Sequence, residues 1–231
     1  MLRLLADIAA PRLCPVCKRP LIKGERALCT TCMVRLPRTG IHLTSTNSMT
    51  EALSNAPAVP GLAAAWFHYN PRSEFAPLIR RAKYSDRPGL ARALGRAFAT
   101  ELIADTPSAI EAVDVLLPVP MHYRKYLRRG YNQSEEIARG ISDATGIPVG
   151  DNLVAVRAHA TQTRRSRDAR RKNVAGMIEC RCPEELEGLD IAIVDDVFTS
   201  GATMAECALA IGRGGGRPSS VGALCLALAN S

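Results

Sequence analysis

Two groups of residues in this 231-residue chain have the types and spacing to do chemistry. The first is Cys14 and Cys17 in "CPVC", followed after eleven residues by Cys29 and Cys32 in "CTTC". Two tight turns that each offer two thiolates complete the tetrahedral shell of one Zn2+. Four thiolates leave no open position for a substrate water, so such a site is structural. The alternatives are two disulfides, which a reducing cytosol disfavours, or a redox CxxC, which needs no second copy. The other four cysteines are scattered. Cys207 shares a helical face with Met204, Ala208 and Ile211, and Cys225 lies inside the last apolar strand, so both read as core. Cys180 and Cys182 in "ECRCPEE" alternate as strand neighbours do and lack a partner pair.

The second group is "IAIVDDVFTSGAT", residues 191 to 203. An apolar run ends in two adjacent acids and is followed at once by small hydroxylated residues around a glycine. At the carboxyl end of a strand in a parallel sheet, where ligands collect, Asp195 and Asp196 suit the vicinal hydroxyls of a ribose. Thr199, Ser200, Gly201 and Thr203, with the free amides of a helix starting near Ala202, suit its 5′-phosphate. Capping or a surface turn accounts for one acid and leaves the second unexplained. There is no G-x4-G-K-[ST], and "GRGGG" at 212 to 216 follows a helix and reads as its C-terminal turn.

The elements that must position these residues are legible in outline. "LAAAWFHY", "VDVLLPVP", "LVAVR", "IAIVDD" and "SVGALCLALA" read as strands; "SEFAPLIRRAKYS", "PGLARALGRAFATELIAD" and "NQSEEIARGISDATG" read as helices from their apolar spacing of three and four. Asn132 is placed to cap the last of these, with Glu135 three residues on and Gly146 ending it. Strands rich in Val, Ile and Leu alternating with helices predict an α/β fold with a parallel sheet covered on both faces. The division expected is a start helix and four-cysteine module at 1–40, a Ser/Thr/Asn/Pro-rich linker at 41–61, and the sheet domain at 62–231.

No apolar run approaches the roughly 20 residues of a membrane helix, and the start, "MLRLLADIAAPRLC", lacks a secretory h-region and reads as a short amphipathic helix. A soluble, cytoplasmic protein is expected. Its net charge of +8 is unevenly spread. Residues 1–40 carry +6, 121–139 carry +3 and 157–173 carry +6, so the rest of the chain nets −7. Basic residues gathered in three runs suit phosphates, although any one such run also fits a solvated face.

The motif at 191 to 203 resembles the phosphoribosyl pyrophosphate (PRPP) motif of type I phosphoribosyltransferases. With "RRGYNQSEEIA", "QTRRSRDARRKNVAGMI" and the four-cysteine module, the chain is similar to the ComF family, in which a zinc-binding module precedes a phosphoribosyltransferase-like domain. The family's Lys-Tyr-x-Gly step stands here as "KYSDR", which leaves the role of Lys83 open. The resemblance implies a type I phosphoribosyltransferase-like parallel sheet flanked by helices behind a small zinc-ribbon module. It also implies that Asp195 and Asp196 hold the ribose diol of PRPP or a nucleoside 5′-monophosphate, and that Thr199, Ser200, Gly201 and Thr203 hold the 5′-phosphate.

Two function classes follow. The resemblance implies a part in DNA uptake and natural transformation, on the cytoplasmic side of incoming single-stranded DNA and alongside the uptake machinery. Arg164, Arg165 and Arg167, with Arg128 and Arg129, then meet DNA phosphates, and Tyr123, Tyr126 and Tyr131 interleave with cations so that bases could stack, unless those rings pack on the core. The other class is an active transferase in which PRPP, bound with Mg2+, loses pyrophosphate to an unidentified base. Arg128 and Arg129 then contact pyrophosphate, and the arginines at 164 to 167 close over PRPP. His122 and His159 are candidates for packing or phosphate contact, and no catalytic residue is singled out.

Overall fold

The computed structural model describes residues 12–56, 58–84, 88–156 and 176–229. Along them run helices α1 (Thr30–Val34) and α2 (Ser48–Ala52), strand β1 (Val59–Tyr69), and helices α3 (Ala76–Tyr84), α4 (Pro88–Asp105) and α5 (Pro107–Glu111). Strand β2 (Val115–Pro118), helices α6 (Tyr123–Arg129) and α7 (Gln133–Thr145), strands β3 (Leu153–Ala155), β4 (Ile178–Cys180) and β5 (Asp190–Phe198), helix α8 (Ala202–Arg213) and strand β6 (Ser220–Ala229) complete the order.

The expected parallel sheet is present, with strand order β1-β6-β5-β2. Leu116 adds a parallel bridge to Val149 at the β2 edge. Side chains alternate across the pleat. Ile191 and Ile193 join a core with Met49, Leu53, Met204, Cys207, Ile211 and Cys225 under α2 and α8. Ala192 and Val194 join the opposite core with Leu94, Phe98, Leu102, Ile137 and Ile141 under α4 and α7. Both faces are therefore dry, which is why these strands read as continuous apolar runs. Cys207 and Cys225 are core residues, as expected, and burial pushes both thiols well above their ordinary pKa.

Helices α4 and α7 cross at two glycines. A β-carbon on Gly95 would stand 2.3 Å from the Ile137 carbonyl oxygen, and one on Gly140 would stand 2.0 Å from that of Arg92. Only residues without a side chain allow backbones this close. The approach draws the start of α7, which carries site residues, in toward β5.

Several local expectations are corrected. "LVAVR" does not join the parallel sheet: β3 pairs antiparallel with β4 as a separate two-stranded ribbon. Its short apolar run carried no signal for which edge it would meet. The segment read as a linker holds a 3-10 turn at Ile41–Leu43 and helix α2, and packs Met49 and Leu53 fully into the core. Asn47 caps α2 through the amides of Met49 and Thr50, while the Thr50 hydroxyl accepts from the Asn47 amide; a five-residue helix held this way shows no periodicity. Asn132 caps α7 as expected and Gly146 ends it, but Glu135 pairs with Arg139 instead of reaching back to the cap. Cys180 closes β4, whereas Cys182 adopts a left-handed φ of 47° before a 3-10 turn, so the two are not strand neighbours. The start helix falls mostly in residues 1–11, outside the described residues.

Among the described residues, no helix is long and apolar enough to cross a membrane.

Candidate functional site

In the four-cysteine module, Leu13 and Pro20 bridge antiparallel around the first turn, and Cys29 caps α1 by accepting from the Cys32 amide. Glu25 organises the space between the two turns. Its carboxylate accepts from the amides of Ile22 and Thr30 and from the Thr30 hydroxyl, and pairs with Arg19 at 2.6 Å. The Thr30 amide foremost, with that of Ile22, holds its pKa down to about 2 against burial.

The four sulfur atoms lie within 4.8 Å of one another, and those of Cys17 and Cys29 are 3.6 Å apart. A Zn–S bond of about 2.3 Å sets tetrahedral sulfur edges near ~3.8 Å. Cys14, Cys17, Cys29 and Cys32 thus fit one zinc ion, and all eight cysteines are free of disulfides. The module is not a separate body. Leu28, Cys29 and Leu36 share a core with Trp66 and Phe98, while Arg35 pairs with Glu74 and Arg38 with Glu101.

The second site is a cavity of about 220 Å3 at the carboxyl end of β5. Asp195 and Asp196 line it with Thr203 of α8, Lys125 and Arg129 of α6, and Ser134 at the start of α7. Three hydrogen bonds or ion pairs organise the acids. The Ser134 hydroxyl donates to Asp195 Oδ1 at 2.9 Å, the Asp196 amide donates to the same oxygen at 2.8 Å, and Lys83 Nζ stands 3.0 Å from Asp196 Oδ2. Burial first, and then the neighbouring Asp196 carboxylate, raise Asp195 to about 7 against those hydrogen bonds. Burial works against the charge of Lys83, but the Asp196 carboxylate outweighs it and raises the ammonium pKa.

The remaining candidates divide. Gly201 takes φ 71° as the residue before α8, whose start has no side-chain cap. A β-carbon there would meet that of Ala52 at 2.5 Å, so this glycine is required by packing against α2 as well as by its turn. Thr199 is exposed and Ser200 half-buried, and neither lines the cavity. Arg129 faces it and donates to Gln133 Oε1 at 2.9 Å, whereas Arg128 is exposed and does not line it. His122 is the cap of α6, its Nδ1 accepting from the Arg124 amide. His159, Arg164, Arg165 and Arg167 lie outside the described residues.

The tyrosines also divide. Tyr131 packs, donating its hydroxyl to the Ala82 carbonyl at 2.6 Å. Tyr123 and Tyr126 are 59% and 47% exposed, on a helix with no buried residue. They line a groove of about 650 Å3 that adjoins the cavity through Pro120, Met121 and Asn132. Arg124 lies over the Tyr123 ring, 5.9 Å from its centre.

Ser134 was not singled out by motif, and Lys125 was read only among the cations interleaved with the tyrosines. "KYSDR" was the one signal for Lys83, and its ammonium reaches Asp196 only in the folded chain, where Gln133 Nε2 at the start of α7 donates to the Lys83 carbonyl. Mg2+ bound directly by the acid pair would meet one carboxylate whose Oδ2 holds an ammonium and another whose Oδ1 is bonded to Ser134 and a backbone amide.

No protein-family model matches the chain. It is 30% identical over 229 residues to the DNA utilization protein YhgH of Escherichia coli strain K12, covering 96% of this chain and 100% of that one. The YhgH protein of Salmonella typhimurium is 29% identical over the same span. The Competence protein F of Haemophilus influenzae is 30% identical over 133 residues, 56% of this chain and 58% of its own. Among solved structures, the glutamine PRPP amidotransferase of B. subtilis overlays 64% of this chain on 30% of its own, at 25% identity and a TM-score of 0.42. With its four-cysteine module ahead of an α/β domain built on a parallel sheet, and with a 30% identical relative matched from end to end, the chain belongs to the ComF family.

Proposed function

We propose that the cavity at β5 binds a ribose 5-phosphate group, carried by PRPP or a nucleoside 5′-monophosphate. We further propose that the protein serves DNA uptake or utilisation, handling single-stranded DNA on the cytoplasmic side beside that cavity. The observation that carries the pocket is the convergence of Asp195, Asp196, Thr203, Lys125 and Arg129 in one small cavity. Carboxylates accept from a diol, and cations with a helix start and a hydroxyl meet a phosphate. The zinc reading stands with it: Cys14, Cys17, Cys29 and Cys32 hold a structural Zn2+ that fixes the module against β1 and α4.

The DNA role is supported by relatives named for DNA utilization and competence. It is also supported by α6, whose Arg124, Lys125, Arg128 and Arg129 accompany two exposed tyrosines and no acid. Cations track a backbone while exposed rings stack bases, which is how single strands are held without sequence preference.

A titration of fluorescent single-stranded DNA at several salt concentrations tests this role. Retention should fall with salt at a log–log slope of about 0.7 per phosphate contact. Replacing Arg124 and Arg128 by alanine should flatten the slope, as should replacing Arg164, Arg165 and Arg167. No retention at low salt, with pyrophosphate released from PRPP on some base, hands the function to an active phosphoribosyltransferase.

A further inference from the structure

A ribose phosphate entering the cavity brings negative charge to a place that already holds two carboxylates. In phosphate chemistry the balance often comes from a divalent cation, which demands oxygen ligands free to turn toward it. Here Asp196 is held by Lys83 at 3.0 Å, and Asp195 by Ser134 and the Asp196 amide. Among the described residues the cationic lining outnumbers the acids: Lys83, Lys125 and Arg129 face Asp195 and Asp196. That surplus is felt inside the cavity. Burial first, and then the charges of Arg129, Arg128 and Lys83, hold the Lys125 ammonium below its ordinary pKa. An anion relieves this repulsion, and Mg2+ adds to it.

We propose that Lys83 is the resident counter-cation of the cavity, holding Asp196 where a divalent metal would otherwise act, so that the ligand taken is a 5′-monophosphate of ribose bound without Mg2+. This rests on the ribose-phosphate reading above and names the ligand class within it. The charge is supplied by the fold. The end of α3 is held by the Tyr131 hydroxyl, in the segment before α7, on the Ala82 carbonyl and by Gln133 Nε2 at the start of α7 on the Lys83 carbonyl at 3.3 Å, so the ammonium is delivered to Asp196 by the fold. A single phosphate is then matched by Lys125 and Arg129. Among the described residues, a pyrophosphate ester brings more charge than these two side chains balance and draws metal with it.

Calorimetry of the full chain with adenosine 5′-monophosphate, in metal-depleted buffer and with Mg2+ added, tests the assignment. The expected result for the unmodified protein is the same affinity in both within about twofold. Lys83→Met should lose about tenfold in the depleted buffer and regain most of it on adding Mg2+, a gain of metal dependence that a merely structural lysine would not produce. Because methionine leaves Asp196 without its cation, K83M/D196N is measured in parallel. With the acid neutralised it should fold normally by thermal melt and show no recovery with Mg2+.

Binding by the unmodified protein only when Mg2+ is present, or unchanged binding by Lys83→Met in depleted buffer, overturns the role of Lys83 and leaves the pocket standing. Failure of adenosine 5′-monophosphate, ribose 5-phosphate and PRPP alike to bind, with or without Mg2+, removes the ribose-phosphate reading itself.

Discussion

The four-cysteine module and the β5 cavity are built in opposite ways. All four thiols of the module come from residues 14 to 32, and two local turns bring them within 4.8 Å of one another. The cavity instead draws its charged groups from α3, α6 and β5, which are up to 113 positions apart between Lys83 and Asp196. A site made by local turns is legible as spacing and depends on its metal. A site made by packing is legible only in its most concentrated strand and depends on the whole core. Each region can be perturbed to test that contrast.

The largest effect is expected from the module. Serine at Cys29 or Cys32 should abolish zinc retention, read as metal per chain, and unfold residues 12–36, since structural zinc supplies on the order of 10 kcal/mol or more to small modules. Because Leu28 and Leu36 share a core with Trp66 and Phe98, the sheet domain should stay folded but melt several degrees lower. An unchanged melting temperature with zinc lost would show that the shared core carries no coupling. Full zinc content in the serine variants would remove the metal site.

In the cavity, Asp196→Asn or Thr203→Val should weaken ribose-phosphate binding roughly ten- to a hundredfold, the cost of a lost bond to a charged group of about 1.5–3 kcal/mol. Zinc content should stay unchanged. Unaltered affinity in both variants would show that neither side chain contacts the ligand.

A change away from the charged groups of the cavity should reach the cavity and spare the module. Gly140→Ala puts a β-carbon 2.0 Å from the Arg92 carbonyl oxygen, so α4 and α7 must separate, at about 1–3 kcal/mol by chemical denaturation. Ligand affinity should fall with it, because Ser134 and Gln133 move with α7. A variant as stable as the parent would mean that the helices yield there freely.

The smallest effect is a pH dependence. Asp195 is raised from 3.8 to about 7, so between those values the folded chain holds a proton that the unfolded chain has released. Its contribution to stability is complete below about pH 4 and is lost as pH rises through about 7. Asp195→Asn keeps the Oδ1 acceptor for Ser134 and removes the titration. The melting temperature of the variant should therefore change less than that of the parent between pH 5 and pH 8, by about a few degrees. Parallel curves would show that Asp195 is ionised throughout.

By itself the sequence determined the four thiols, the acid pair at the end of β5, the start and end of α7 and the apolar strands of the parallel sheet. Each is a local pattern: a ligand spacing, a cap, or a run whose alternation is erased because both sheet faces are dry. Tertiary structure alone decided that Lys83 meets Asp196, that Ser134 meets Asp195, that Tyr131 packs while Tyr123 and Tyr126 face outward, and that Met49 and Leu53 belong to the core. Those outcomes follow from contacts between elements far apart in the chain. The close crossing of α4 and α7 at Gly95 and Gly140 places α7, and hydrogen bonds from Tyr131 and Gln133 place the end of α3. No residue's type, nor its spacing from its neighbours, encodes which distant backbone it will touch.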